Sequence, residues 1–116
     1  MKSFFTKSNI SANVELALMR GFWETKKKNF NKDSIRLGDT IYILTTGNSD
    51  YPIAIKAEYI AREPVDVGSF WHDPKPDVKY VERVYFRNPT TIEHNLVSCM
   101  TNPKRQAGSD CFVKLT

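Results

Sequence analysis

Two histidines, two cysteines and two tryptophans carry the most particular chemistry in this 116-residue chain. A nucleophile with its base and orienter would have to be assembled from His72-Asp73 or His94 with Ser8, Ser98 or a cysteine. No nucleophile elbow or comparable spacing joins them, so no enzyme is expected. Cys99 and Cys111 form no CxxC pair, which excludes a disulfide framework and a four-cysteine zinc site. With only two histidines besides, the expected metal is none. The five glycines are scattered singly, without a phosphate loop, and no cofactor is expected.

The tryptophans and the cations remain. Trp23 stands just past Gly21, and Trp71 stands in a stretch rich in proline. A tryptophan is usually core, yet two indoles on separate loops can face each other and sandwich a planar ring. The run Lys26-Lys27-Lys28 follows Trp23 closely. Taken alone such a run is more often a solvated loop. Beside an aromatic it is also the pairing that single-stranded nucleic-acid binders use, phosphate contact plus base stacking. With 17 Lys and Arg against 13 Asp and Glu, the net charge of +4 is compatible with an anionic partner.

These residues must be positioned by a few elements. Lys2 to Lys7 carry a short aromatic strand pattern. Ile10, Val14, Ala17 and Leu18 then recur at helical spacing, predicting a helix over Ser11–Arg20, with Ser11 as its cap, Glu15 in its early turn and Gly21 as a left-handed stop. The polar stretch Glu24–Lys32 reads as a loop, followed by a short helix over Lys32–Arg36. Thr40–Thr45 is a continuous β-branched and aromatic run that suits a central strand. Gly47–Asp50 predicts a hairpin turn, and Tyr51–Arg62 the returning strand, with Ile53, Ile55, Ala57, Tyr59 and Ala61 on one face. Glu63–Asp77 reads as a loop exposing Ser69-Phe70-Trp71-His72. Strand periodicity resumes over Val78–Phe86, a short helix or strand follows over Ile92–Met100, and Cys111–Leu115 is a last strand. Hairpin-connected strands with one good helix after the first predict an α+β domain, a curved, largely antiparallel sheet or small barrel.

The length is that of one domain, residues 1–116. No apolar run approaches the roughly 20 residues that cross a bilayer, so no membrane is expected as partner. Met1–Phe5 lacks the apolar stretch of a signal peptide, and the expected location is the cytoplasm.

Phe4-Phe5-Thr6-Lys7-Ser8-Asn9, Asn13-Val14-Glu15-Leu16-Ala17, Gly21-Phe22-Trp23-Glu24-Thr25 and Asn29 together resemble the start of YTH domains, readers of N6-methyladenine in the PUA-like superfamily that also holds the EVE domains. The resemblance continues less densely through Ile41-Tyr42-Ile43-Leu44, the strand ending at Arg62, and Ser69-Phe70-Trp71. It implies a PUA-like curved sheet or barrel flanked by helices, which holds a flipped-out methylated base in an aromatic cage. Trp23 and Trp71 resemble the two cage walls, and Asn13 the side chain that addresses the adenine edge. Lys7, Ser8 and Asn9 resemble the segment contacting base and sugar, and the backbone carbonyl of Glu24 the acceptor for the remaining N6 hydrogen. The eukaryotic third wall is missing, with Tyr80 or a proline in its place. Where the family often has a phosphate-binding arginine, Gly108-Ser109-Asp110 offers a serine, so Lys104 and Arg105 join Lys26, Lys27 and Lys28 as phosphate contacts.

The shorter loops resemble a prokaryotic YTH or EVE-like module at the N-terminus of McrB-like modification-dependent restriction proteins. That likeness implies a fragment or subunit whose partners are methylated DNA or RNA and a nuclease or NTPase. Two alternatives stay open: an EVE-like reader of modified cytosine in DNA, and a small PUA-like RNA-processing enzyme. In the caged reading, replacing either tryptophan by alanine is expected to weaken binding and leave the fold intact.

Overall fold

The computed structural model describes residues 2–25, 35–64, 82–95 and 112–114. Their elements are β1 (Ser3–Ser8), α1 (Ser11–Arg20), β2 (Phe22–Thr25), β3 (Thr40–Thr45), β4 (Ala54–Pro64), β5 (Glu82–Ile92) and β6 (Val113–Lys114). Among the described residues, one mixed, curved sheet joins the six strands in the order β2-β5-β4-β3-β1-β6, with α1 packed against it. Four of the pairings are antiparallel, as expected, whereas β1 and β3 run parallel. A parallel pair needs a crossover rather than a hairpin, and α1 with β2 lies in that crossover.

The helix forms over the expected residues. Val14 and Ala17 are buried and Leu18 packs beside them, while Glu15, Met19 and Arg20 face outward. Arg20 in the last turn suits the negative end of the helix dipole. Gly21 closes the helix at φ +79, its N–H donating to Ala17 O at 2.9 Å. The start differs from expectation. Ile10 occupies the capping position without a side-chain bond, and Ser8 Oγ accepts from Ile10 N at 3.1 Å. Ser11, inside the helix, turns its hydroxyl to the β3–β4 connection instead, donating to Tyr51 O at 2.7 Å and accepting from Tyr51 N at 3.2 Å. Glu15 lies beyond the first turn and hydrogen-bonds Tyr51; with burial adding to it, this bond holds the phenol above its usual pKa.

Register sorts the side chains into two faces. On the α1 side, Phe4, Ile41 and Ala57 form one row and Thr6, Ile43 and Ile55 the next; their apolar members join Val14, Ala17, Trp23, Tyr59, Val84 and Phe86 in the main core. On the other side, Phe5, Tyr42, Leu44 and Ala54 make a second buried cluster. Alternation over the returning strand holds through Tyr59, and the strand itself runs over Ala54–Pro64 rather than Tyr51–Arg62.

Two compensating bulges bend the long β4–β5 ribbon. Lys56 pairs with Thr90 and Glu58 with Arg87, which leaves Asn88 and Pro89 opposite Ala57 alone. One step on, Tyr59 pairs with Phe86 and Ala61 with Tyr85, which leaves Ile60 extra on β4 and 38 % exposed. Bulges bend the strand and increase local twist, and the first of them accommodates a proline that has no N–H to give the ladder. β5 also extends past Phe86 to Ile92; the expected stretch Val78–Val81 lies outside the described residues, as do the expected loop at Lys26–Lys32, most of the short helix over Lys32–Arg36, and the Trp71 loop. No described helix is long and apolar enough to cross a membrane.

Candidate nucleic-acid interface

Three of the candidate residues are buried, on β1, α1 and β2. Ser8 shares the face of Phe4 and Thr6, Asn13 is buried in the first turns of α1, and Trp23 packs with Val14, Ala17, Val84 and Phe86. Trp23 is 1 % exposed and Asn13 5 %. Asn13 N donates to Ile10 O at 3.1 Å, which holds the turn joining β1 to α1. Asn9 is exposed in that turn. Ser8 O accepts from Thr46 N at 2.9 Å, and the neighbouring Thr45 O is bonded by His94 Nε2 at 2.7 Å, so the end of β1 is fastened to the end of β3.

The expectation of a loop-borne Trp23 is corrected: the residue lies within β2, opposite Val84. Glu24 and Thr25, expected in a loop, belong to the same strand. The short apolar strand follows Gly21 directly because the left-handed turn returns the chain onto the sheet, and Gly21 O accepts from Phe86 N at 3.0 Å. A planar ligand would reach the indole only by displacing what covers it. The stack, about 1–3 kcal/mol per base, must exceed that cost.

That same hydrogen bond sets the direction of the β2 backbone. Bonded and non-bonded pairs alternate along an antiparallel ladder. With Gly21 and Phe86 a bonded pair, Trp23 and Thr25 face β5, whereas the N–H and C=O of Phe22 and Glu24 point the other way, toward the edge of the sheet. The carbonyl that the resemblance singles out is thus aimed outward, next in sequence to the indole.

The side chains of β2 separate by face. Opposite Trp23's face, the Glu24 carboxylate is fully buried and Arg83 Nη2 donates to it at 3.0 Å. The Arg83 guanidinium also lies over the Phe22 ring, 4.5 Å from its centroid, and Phe22 meets Tyr85 edge-on at 6.0 Å. Desolvation works against the Arg83 charge, but hydrogen bonds with Tyr85 and Glu24 outweigh it and hold the guanidinium above its ordinary pKa. Arg83 therefore grips both sequence neighbours of Trp23. Lys7 likewise faces away from α1, its ammonium 5.7 Å from the Phe5 ring centroid.

Arg62 and Glu82 share Trp23's face and were not singled out from the sequence. Val84, the partner of Trp23, is itself paired with Arg62, and Glu82 stands two residues from Val84. Arg62 Nε lies 3.7 Å from Glu82 Oε2. Burial raises the pKa of nearby Tyr59, with Arg62 and Glu82 acting in opposite directions. The bulge at Ile60 brings Arg62 to this face, and strict alternation alone gave no signal of it. Trp71, Tyr80, Lys26, Lys27, Lys28, Lys104 and Arg105 lie outside the described residues. Among the described residues, no group of three or more His, Cys, Asp or Glu could hold a metal ion. In comparisons with known proteins, no family model and no curated protein matches this chain.

Proposed function

We propose that this chain is a non-enzymatic reader of a modified base in nucleic acid, with a PUA-like fold and N6-methyladenine as its ligand. The base leaves its stack and lies against Trp23, with Trp71 as the second wall and Tyr80 closing the third side. Asn13 addresses the adenine edge by its amide, and the Glu24 carbonyl accepts the remaining N6 hydrogen. Lys7, Ser8 and Asn9 form the segment at the base and its sugar, and Lys26, Lys27, Lys28, Lys104 and Arg105 meet phosphates. In this reading the domain serves in the cytoplasm as the targeting module of a modification-dependent restriction system, beside a nuclease or NTPase.

The observation that carries the reading is Trp23, buried in the core that packs against α1, the helix of the buried Asn13, followed by a Glu24 carbonyl aimed at the sheet edge. The ligand is neutral, so stacking and burial of one methyl group supply the preference, about 0.8 kcal/mol or roughly fourfold for the methyl alone. A well-closed cage adds contacts on both ring faces.

Calorimetric titration with paired methylated and unmethylated DNA and RNA oligonucleotides tests it. Wild type prefers the methylated strand; Asn13→Ala weakens both ligands, and Trp71→Ala collapses the difference between them. Equal affinity for both adenines in wild type overturns the N6-methyladenine assignment.

Modified cytosine is the second reading, favoured by one observation. Glu82 places a half-buried carboxylate on Trp23's face, where it is able to accept from an exocyclic amine. A clear preference for a modified cytosine that Glu82→Gln abolishes selects it.

A further inference from the structure

The sheet face opposite α1 is unlike the helix side. Its rows run Lys7–Leu44–Ala54–Ile92, Phe5–Tyr42–Lys56–Thr90 and Ser3–Thr40–Glu58–Arg87 across four strands. A groove of about 350 Å³ opens there, lined by Gly38, Thr40, Lys56, Ala57, Glu58, Asn88 and Thr90. Two backbone distortions shape it. Asn88 takes φ +53 at the Asn88-Pro89 bulge, and Gly38 takes φ +94 in the turn before β3. Non-glycine residues at positive φ and bulges both concentrate at functional sites.

The chemistry of the lining is that of an anion site. Thr40 and Thr90 supply hydroxyls, Asn88 an amide and Lys56 an ammonium. Among the described residues none of these four side chains is engaged in a hydrogen bond or ion pair. The one carboxylate, Glu58, receives Arg87 Nη2 at 2.7 Å, and that hydrogen bond, with the charge behind it, lowers its pKa against the opposing effect of desolvation. The charged lining residues are Lys56 and Glu58, and Arg87, beside the groove, offsets the Glu58 carboxylate, which leaves the Lys56 ammonium as the charge without a counterpart in the lining. Lys56 stands on a central strand, fixed at its base by the rows on either side, so its donors are better placed than those of a lysine on a loop.

We propose that this groove is a phosphate site, and that its occupant is a backbone phosphate of the nucleic acid whose base the opposite layer reads. It rests on the proposed function only for the identity of the occupant. Lys56 meets the phosphate charge, and Thr40, Asn88 and Thr90 hold its oxygens. Lys7 lies on the same face, beyond the buried Phe5, Tyr42 and Leu44 cluster, and is no part of this groove. The contact positions the strand and carries no base identity.

The test is a salt series. Affinities of wild type, Lys56→Gln and Lys56→Arg for methylated and unmethylated single strands are read by fluorescence anisotropy, with melting curves confirming that each variant folds. Losing one phosphate contact lowers the slope of log affinity against log salt by about 0.7 for a single strand. Lys56→Gln is therefore weaker at low salt, its deficit narrows by roughly 2.6-fold between 50 and 200 mM, and it loses equally on both strands. Lys56→Arg keeps the wild-type slope. A Lys56→Gln slope equal to wild type overturns the proposal, and so does a change confined to the methylated strand. If wild type binds nucleic acid with no base preference yet Lys56→Gln lowers the slope, the groove stands and the base reading fails. A parallel titration with inorganic phosphate, followed by the amide resonances of Gly38 and Thr90, covers the other source. Shifts there that Lys56→Gln abolishes, in a protein that binds no oligonucleotide, overturn the nucleic-acid occupant in favour of a free phosphate.

Discussion

Trp23 sets the terms at the scale of single residues, because it is both a candidate binding wall and a member of the core. Its burial reverses the expectation that Trp23→Ala spares the fold. Removing a fully buried indole costs about 3–5 kcal/mol, so Trp23→Ala shifts the denaturation midpoint sharply, whereas Trp23→Phe keeps most of the volume and is the variant with which to read binding. Chemical denaturation beside titration separates the two effects; a Trp23→Ala protein of wild-type stability would remove Trp23 from the core. Glu24 and Arg83 make a second case. With the carboxylate side chain 0 % and the arginine 20 % exposed, Arg83→Met takes the guanidinium away from a buried carboxylate and costs about 3–5 kcal/mol. Adding Glu24→Gln to Arg83→Met restores part of that loss, because the buried charge is then gone. Both singles and the double, compared in one denaturation cycle, give the coupling; additive losses would show that the pair is not coupled.

At the scale of elements, the turn between α1 and β2 decides where Trp23 points. Gly21 combines a left-handed backbone with hydrogen bonds to Ala17 and Phe86. A Cβ added there would meet only Phe86 O at 3.5 Å, an ordinary contact, so the cost of Gly21→Ala is conformational, about 1–2 kcal/mol. Gly21→Asn costs less, since asparagine tolerates the left-handed region. Thermal melts of the two variants rank them, and an equal or inverted order would mean that packing rather than dihedral preference governs the turn. The helix and β3 were legible in the sequence for a local reason: their apolar spacing and their stop and turn residues lie within ten positions of one another. The cap was not, because Ser11 is equally suited to capping α1 and to holding Tyr51, forty residues away, and the choice belongs to the β3–β4 hairpin that docks beside it.

For the whole molecule, the proposed reading divides base identity and strand affinity between different surfaces. The helix side holds Trp23 and Asn13, whereas the cations Lys7 and Lys56 face the other way. Replacing Lys26, Lys27 and Lys28 together by Gln accordingly weakens methylated and unmethylated strands by similar factors and lowers the salt slope, since phosphate contacts carry little base identity. Salt-dependent titrations of the triple variant check this. A changed methyl preference at constant salt slope would place the run at the base instead.

The sequence by itself determined the local pieces: the Ser11–Arg20 helix with its glycine stop, the buried run Thr40–Thr45, and an α+β composition. It also supplied the tryptophan, asparagine and lysines as candidates, since residue type limits what chemistry is available. Tertiary structure alone decided how those pieces meet. The parallel pairing of β1 with β3, the bulges that carry Arg62 to Trp23's face and open the Lys56 groove, and the burial of Glu24 against Arg83 all depend on partners more than twenty positions apart. Strand pairing is settled by which distant faces bury the most apolar surface at a consistent register, and a one-residue offset sends a side chain to the opposite face. Local periodicity carries no record of such an offset, so whether Trp23 lay in a loop or in the core was a question only the assembled sheet could answer.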